Sequence, residues 1–137
     1  MRYVQNESEL LCLNHGWRFI EKDFSVLPPK ESIKHDAIYR YAKAGAQLGP
    51  ASADFDDGDW SEVSLPHDWV PFKDFTPDAY PNHGYKRRGI GWYRVKFQLP
   101  ESDKERQILL DFEGMSCDAQ IYFNGQLLYR NFSGYKS

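Results

Sequence analysis

Ile121-Tyr122-Phe123-Asn124-Gly125-Gln126-Leu127-Leu128-Tyr129 reads as a β-hairpin, and the chain on either side is interpreted from it. A two-residue type I′ turn needs positive φ at both central positions, and Asn followed by Gly adopts that at least cost. Two more strand-like runs lie upstream. In Tyr93-Arg94-Val95-Lys96-Phe97-Gln98-Leu99, apolar Tyr93, Val95, Phe97 and Leu99 alternate with polar residues, the period of a half-buried strand. Pro100 ends it, because proline has no N–H for a ladder. Ile108-Leu109-Leu110-Asp111-Phe112 is an apolar run closed by Gly114. These pieces predict an antiparallel meander whose apolar face the rest of the chain must cover.

A length of 137 residues fits one domain spanning 1–137. Aromatic residues make up 16%, which suits strands and sugar-binding surfaces alike and so does not separate core from site. The net charge of −3 leaves no electrostatic footprint for nucleic acid. Lys86-Arg87-Arg88 is the one basic run and reads as a solvated loop segment. Cys12 and Cys117 are too few for a metal cluster; they are either a disulfide or, the favoured reading, unpaired small core residues. The N-terminus has no apolar signal-peptide core, and no run approaches the roughly 20 residues of a membrane span. The expectation is a cytoplasmic chain without a membrane partner, or a periplasmic or secreted one if a signal has been trimmed.

In chain order, residues 1–13 form a leader without clear periodicity. Asn14-His15-Gly16-Trp17-Arg18-Phe19-Ile20 predicts a short strand with Trp17 and Phe19 on one face. Over 31–44, Ile33, Ala37, Ile38, Tyr41 and Ala44 fall near helical spacing, which predicts either a short helix or a long ordered insertion. Asp54-Phe55-Asp56-Asp57-Gly58-Asp59-Trp60 imitates a calcium loop but fails its test. Its glycine comes one position early, and Leu65 stands where the closing Glu belongs. It reads instead as an Asp-rich turn delivering Trp60 to the core. Trp60-Ser61-Glu62-Val63-Ser64-Leu65 predicts another strand, stopped by Pro66. Residues 71–89 hold three prolines, Gly84, Gly89 and the aromatics Phe72, Phe75, Tyr80 and Tyr85, which predicts a long loop of the kind that carries binding function. The expected core is Trp17, Phe19, Trp60, Trp69, Trp92, Val95, Phe97, Leu109 and Phe112.

No nucleophile elbow, phosphate loop, zinc spacing or dinucleotide fingerprint occurs in the sequence. His67-Asp68 is the most suggestive local pair. Adjacent residues on extended chain point to opposite faces, however, so the pair reads as a turn anchor with Trp69 packed beneath it. Nothing marks a pair of carboxylates held about 5–10 Å apart for glycoside chemistry.

Phe55-Asp56-Asp57-Gly58-Asp59-Trp60, Val63-Ser64-Leu65-Pro66-His67-Asp68-Trp69, Gly89-Ile90-Gly91-Trp92-Tyr93-Arg94 and the run from Phe112 through Asn124-Gly125 together resemble the N-terminal domain of glycoside hydrolase family 2, most closely its bacterial β-galactosidase-like members. The resemblance implies an all-β fold, a galactose-binding-domain-like jelly-roll β sandwich, incomplete at the C-terminus because family members continue with further strands. It implies a non-catalytic part of a retaining β-glycosidase whose catalytic glutamates lie in a separate barrel. No catalytic residue, metal or cofactor is therefore expected in this chain. The expected partners are a β-galactoside-like carbohydrate, the remaining domains of a parent enzyme, and a second copy pairing through an open sheet edge. Within the 71–89 loop the candidate sugar contacts are Tyr80, Asn82, His83, Tyr85 and Arg88. The alternative is a stand-alone carbohydrate-binding module.

Overall fold

A computed structural model describes residues 2–5, 8–24, 49–81, 84–116 and 118–132, and every regular element in them is a strand or a short 3₁₀ turn. The strands in chain order are β1 (Arg2–Gln5), β2 (Ser8–Leu11), β3 (Trp17–Glu21), β4 (Ser61–Val63), β5 (Gly91–Arg94), β6 (Ala119–Phe123) and β7 (Gln126–Asn131). All pairings are antiparallel: β1 with β2, a sheet ordered β4-β3-β5, and β6 with β7. The all-β class read from the sequence holds. The helix or insertion expected over 31–44 lies outside the described residues, as does Cys117; Cys12 is a half-buried free thiol. The chain packs as two compact units, Met1–Asp23 with Asp57–Phe97, and Phe24–Asp56 with Gln98–Ser137.

In the first unit β3 lies at the centre of its sheet. Alternation puts Trp17 and Phe19 on one face, and the register sets Phe19 opposite Tyr93 on β5. The Phe19 ring centroid lies 4.8 Å from Tyr93, 4.8 Å from His67 and 5.2 Å from Trp69. Such ring pairs contribute roughly 0.5–1.5 kcal/mol each beyond their buried area. Trp60 is only 4% exposed, carried in by a turn in which its N–H donates to the Asp57 carbonyl at 3.1 Å. The Asp-rich stretch thus delivers Trp60 to the core.

The opposite face carries a liability. Arg18 and Arg94 are direct cross-strand neighbours, and like charges so placed destabilise a sheet. Asp57 offsets them: Arg94 Nε donates to its Oδ2 at 3.0 Å, and Lys96 Nζ lies 3.4 Å from its Oδ1. Burial alone would raise the Asp57 pKa. The Arg94 hydrogen bond, together with the charges of Lys96 and Arg94, outweighs burial and holds the carboxyl below its ordinary value.

Two strand expectations in this unit are corrected. Residues 1–13 are not an irregular leader, since β1 and β2 pair from Arg2↔Leu11 to Gln5↔Ser8. The strand expected over 93–99 instead begins at Gly91, and its ladder ends at Arg94. With Arg18 opposite Arg94, Lys96 would face Gly16, whose φ of 77° has already left the extended region. Val95 and Phe97 are half-buried while Lys96 and Gln98 are exposed. Their alternation records burial without strand pairing.

In the second unit the hairpin forms as the turn chemistry requires. Asn124 has φ 48° and Gly125 φ 80°, and Phe123 pairs with Gln126 across the two-residue loop. The register shifts between Ile121↔Tyr129 and Tyr122↔Leu127, leaving Leu128 as an extra residue that twists β7. The 108–112 run is not a strand, because no described strand lies in register beside it. Leu110, Phe112 and Met115 instead line an open cleft of about 360 Å³ with Ile121, Leu128 and Tyr129. Leu109 is 79% exposed and leaves the core list.

A Cβ on Gly91 would stand 2.6 Å from the Trp69 ring. That ring is held against Phe19, so Gly91→Ala is expected to destabilise the first unit by about 1–3 kcal/mol. A lower urea midpoint at unchanged m-value would show it; a midpoint equal to that of the parent chain would contradict the close approach. For Asp57, the folded-state pKa lies below the unfolded one. The stability it brings is therefore complete above about pH 4 and is lost as the pH falls through the folded value. Asp57→Asn should cost about 1–3 kcal/mol at neutral pH. It should also flatten the acid limb of a plot of urea midpoint against pH, and an unaltered limb would remove Asp57 from the account.

Candidate functional site

The 71–89 loop leaves the core from a turn fixed by aromatic contacts. After β4 the chain reaches His67, whose Nδ1 lies 2.8 Å from the Tyr93 hydroxyl. The same hydroxyl lies 3.3 Å from the His67 carbonyl. Burial, helped by the Asp68 carboxylate, pushes the Tyr93 pKa up to about 12, so the hydroxyl keeps its proton. Asp68 turns the other way and accepts from the Val70 N–H at 2.9 Å, while Trp69 packs on Phe19 and against Gly91. His67 and Asp68 therefore anchor a turn separately and form no acid–base couple. Val70–Phe72 is a 3₁₀ turn that points the chain outward, with Pro71 in its first positions.

Beyond it the loop closes on itself. Thr76 N–H donates to the Tyr85 carbonyl at 2.7 Å, Ala79 N–H to Thr76 at 2.9 Å, Gly84 N–H to Pro81 at 2.9 Å and Tyr85 N–H to Tyr80 at 3.3 Å. Closing so tightly puts Gly84 at φ 63° and Tyr85 at φ 56°. The second is a strained position for a residue with a side chain. The structure thus brings Tyr80 and Tyr85 together through their backbones, Tyr80 being 74% and Tyr85 47% exposed. Arg88 is exposed on the limb that returns to β5. Asn82 and His83 lie outside the described residues.

Two rings outside the candidate set are at least as open: Phe72 is 86% and Phe75 is 75% exposed. Their signal was available in the sequence, as an aromatic directly after Pro71 and another two residues before Pro77 inside a loop. Within the basic run Arg87 and Arg88 are exposed, in keeping with a solvated segment, whereas Lys86 departs from that reading. Lys86 Nζ donates to the Pro71 carbonyl and sits 4.9 Å above the Phe75 ring, and Arg87 pairs with Asp78. Lys73 Nζ donates to Glu21 on β3 and to the Arg87 carbonyl, the latter at 3.0 Å. Among the described residues no group of three or more His, Cys, Asp or Glu side chains is placed to hold a metal ion. The inventory of the loop is exposed rings with polar groups between them on a backbone whose tip is closed by the bonds from Thr76 to Tyr85 and from Tyr85 to Tyr80.

The chain is 30% identical over 103 residues to a β-galactosidase of Bacteroides ovatus, a match covering 74% of the chain and 12% of that enzyme. A β-glucuronidase of Formosa agariphila is 32% identical over 84 residues, covering 59% of the chain and 9% of the relative. Among solved structures, a calcium-binding mutant of Bacteroides uniformis β-glucuronidase 2 superposes with a TM-score of 0.62 at 28% identity, over 90% of this chain and 11% of that one. This chain is of the glycoside hydrolase family 2 type. No protein-family model matches it. It spans about an eighth or less of these two curated relatives, 12% and 9%.

Each family 2 motif now has a structural role. The Asp-rich motif ending at Trp60 is the turn that buries that ring and supplies Asp57 to Arg94. The stretch ending in His67-Asp68-Trp69 is the end of β4 and the aromatic turn. Gly89-Ile90-Gly91-Trp92-Tyr93-Arg94 gives a bare backbone beneath Glu21 and Trp69, followed by β5. Asn124-Gly125 is the β6–β7 turn.

Proposed function

We propose that the chain is a non-catalytic domain of a retaining β-glycosidase of the β-galactosidase-like kind, with a galactose-binding-like jelly-roll architecture. Its work is to scaffold the enzyme and to supply part of the sugar pocket wall. One observation carries the second role: the 71–89 loop holds Phe72, Phe75, Tyr80 and Tyr85 exposed on a backbone tied at Thr76 and Tyr85. Kinship with β-galactosidases and β-glucuronidases supports a glycoside as the ligand. Rings stack on the C–H faces of pyranoses while Arg88, with Asn82 and His83, would bind hydroxyls.

An amide NMR titration of the chain with galactose, glucuronic acid and mannose tests this. Wall contacts alone should shift the amides of Phe75, Tyr80, Tyr85 and Arg88 with about millimolar affinity, the weak end of sugar binding. Affinity of about 10 µM or tighter would favour the stand-alone module. No shift in this loop with any of the sugars would remove the pocket-wall role and leave the scaffold.

The proposal includes a second copy of the chain as a partner along β6–β7. A two-stranded sheet is marginal in water by itself. Among the described residues no third strand pairs with this one, while Phe123, Leu127, Leu128 and Tyr129 are exposed on it. Light scattering at rising concentration should show a dimer that Leu128→Lys abolishes. A monodisperse monomer at high concentration would rule the pairing out.

A further inference from the structure

We propose that Lys73 and Lys86 are positioning residues, two crossed ammonium straps that hold the limbs of the 71–89 loop together and so fix where Tyr80 and Tyr85 stand. The mechanical half of this inference rests on geometry alone; its consequence for ligand binding rests on the sugar-wall reading of the loop.

The two limbs exchange donors. Lys73, on the outgoing limb, donates to the carbonyl of Arg87 at 3.0 Å, and Lys86, on the returning limb, donates to the carbonyl of Pro71. The contacts span 14 and 15 residues of chain and run in opposite directions, so together they fix both separation and register of the limbs. Hydrogen bonds from an ionised donor are about twice as strong as neutral ones. Each ammonium has three N–H donors and is engaged a second time. Lys73 also pairs with Glu21, tying the loop to β3, and Lys86 also covers the Phe75 ring at 4.9 Å.

The Glu21 carboxylate has its place because residue 89 is glycine. A Cβ there would run into the Glu21 carboxylate, so the anchor of the Lys73 strap occupies the space a side chain would fill. Above the straps, the bonds from Thr76 to Tyr85 and from Tyr85 to Tyr80 close the tip. A tip held in this way presents its rings already ordered, which lowers the entropy a ligand must overcome.

Hydrogen–deuterium exchange on the whole 137-residue chain tests the straps, with Lys73→Met, Lys86→Met, Gly89→Ala and Lys73→Arg compared with the parent. Both methionine variants should speed exchange at Thr76, Gly84 and Tyr85 about tenfold while β3–β5 ladder amides stay at parent rates. Gly89→Ala should do the same through Glu21, with no lysine changed. Lys73→Arg keeps the charge and the donors and should restore slow exchange. Parent rates at the tip in all variants would overturn the proposal. So would equal acceleration of tip and ladder, which marks a general loss of stability. If one lysine variant fails to fold, the other and Gly89→Ala decide the same question. Titrating these variants with galactose and glucuronic acid separates the two halves. A loosened tip with weaker sugar binding supports both, whereas a loosened tip in a chain that binds neither sugar upholds the straps and removes the sugar-wall reading.

Discussion

Phe19 is the side chain on which the first unit converges. It stands on the central strand, faces Tyr93 across the ladder, and carries His67 and Trp69 from a turn that has no ladder of its own. A buried hydroxyl without a partner is costly. Tyr93 meets that need with the Nδ1 and the carbonyl of His67, and its raised pKa keeps it a neutral donor. The stack also dictates what Gly91 must be, since Trp69 lies where its Cβ would go. Because Val70 follows Trp69 directly, the root of the 71–89 loop inherits its position from the stack. The route from sequence to candidate site therefore passes through aromatic packing before any polar group of the loop is involved.

The parts of the fold legible in the sequence are those decided locally. Asn124-Gly125 specifies its own turn, because positive φ at two adjacent residues is a property of those residues. Trp60 after an Asp-rich turn, and Trp17 with Phe19 two residues apart, were readable for the same reason. Where a strand ends is decided by its partner. The ladder of β5 stops at Arg94 because Gly16, more than seventy residues earlier, has turned away. The 108–112 run shows the converse. Apolar enough for a buried strand, it finds no described ladder, and Leu110 and Phe112 line a cleft against the hairpin while Ile108 and Leu109 are exposed. In the β1–β2 hairpin the pattern is too short and irregular to separate from coil, though the backbone pairs fully.

The loop divides in the same way. Exposure of Tyr80 and Tyr85 followed from a proline- and glycine-rich stretch that has to remain outside the core, and Arg88 from its place in a basic run. That Lys86 works inward did not follow. A lysine donating to a carbonyl some fourteen residues away leaves no periodicity and no motif, and the same three letters would describe a solvated loop. Side chain to backbone contacts at that range become visible only when both limbs are seen together.

Exposed apolar side chains occur in both units, on differently built backbones. On the loop, the ammonium groups of Lys73 and Lys86 bond to backbone carbonyls of the opposite limb, Arg87 and Asp78 form an exposed pair, and Phe72, Phe75, Tyr80 and Tyr85 are exposed. Its rings come one at a time from a closed backbone with polar residues between them. On the hairpin, Leu127, Leu128 and Tyr129 are consecutive and exposed on a ladder twisted by a bulge. The register sets Leu127 on the face of Tyr122 and Tyr129 on the opposite face with Ile121, so the hairpin exposes apolar side chains on both of its faces. The loop is built on a backbone whose hydrogen bonds close within it, whereas among the described residues no third strand joins the β6–β7 ladder.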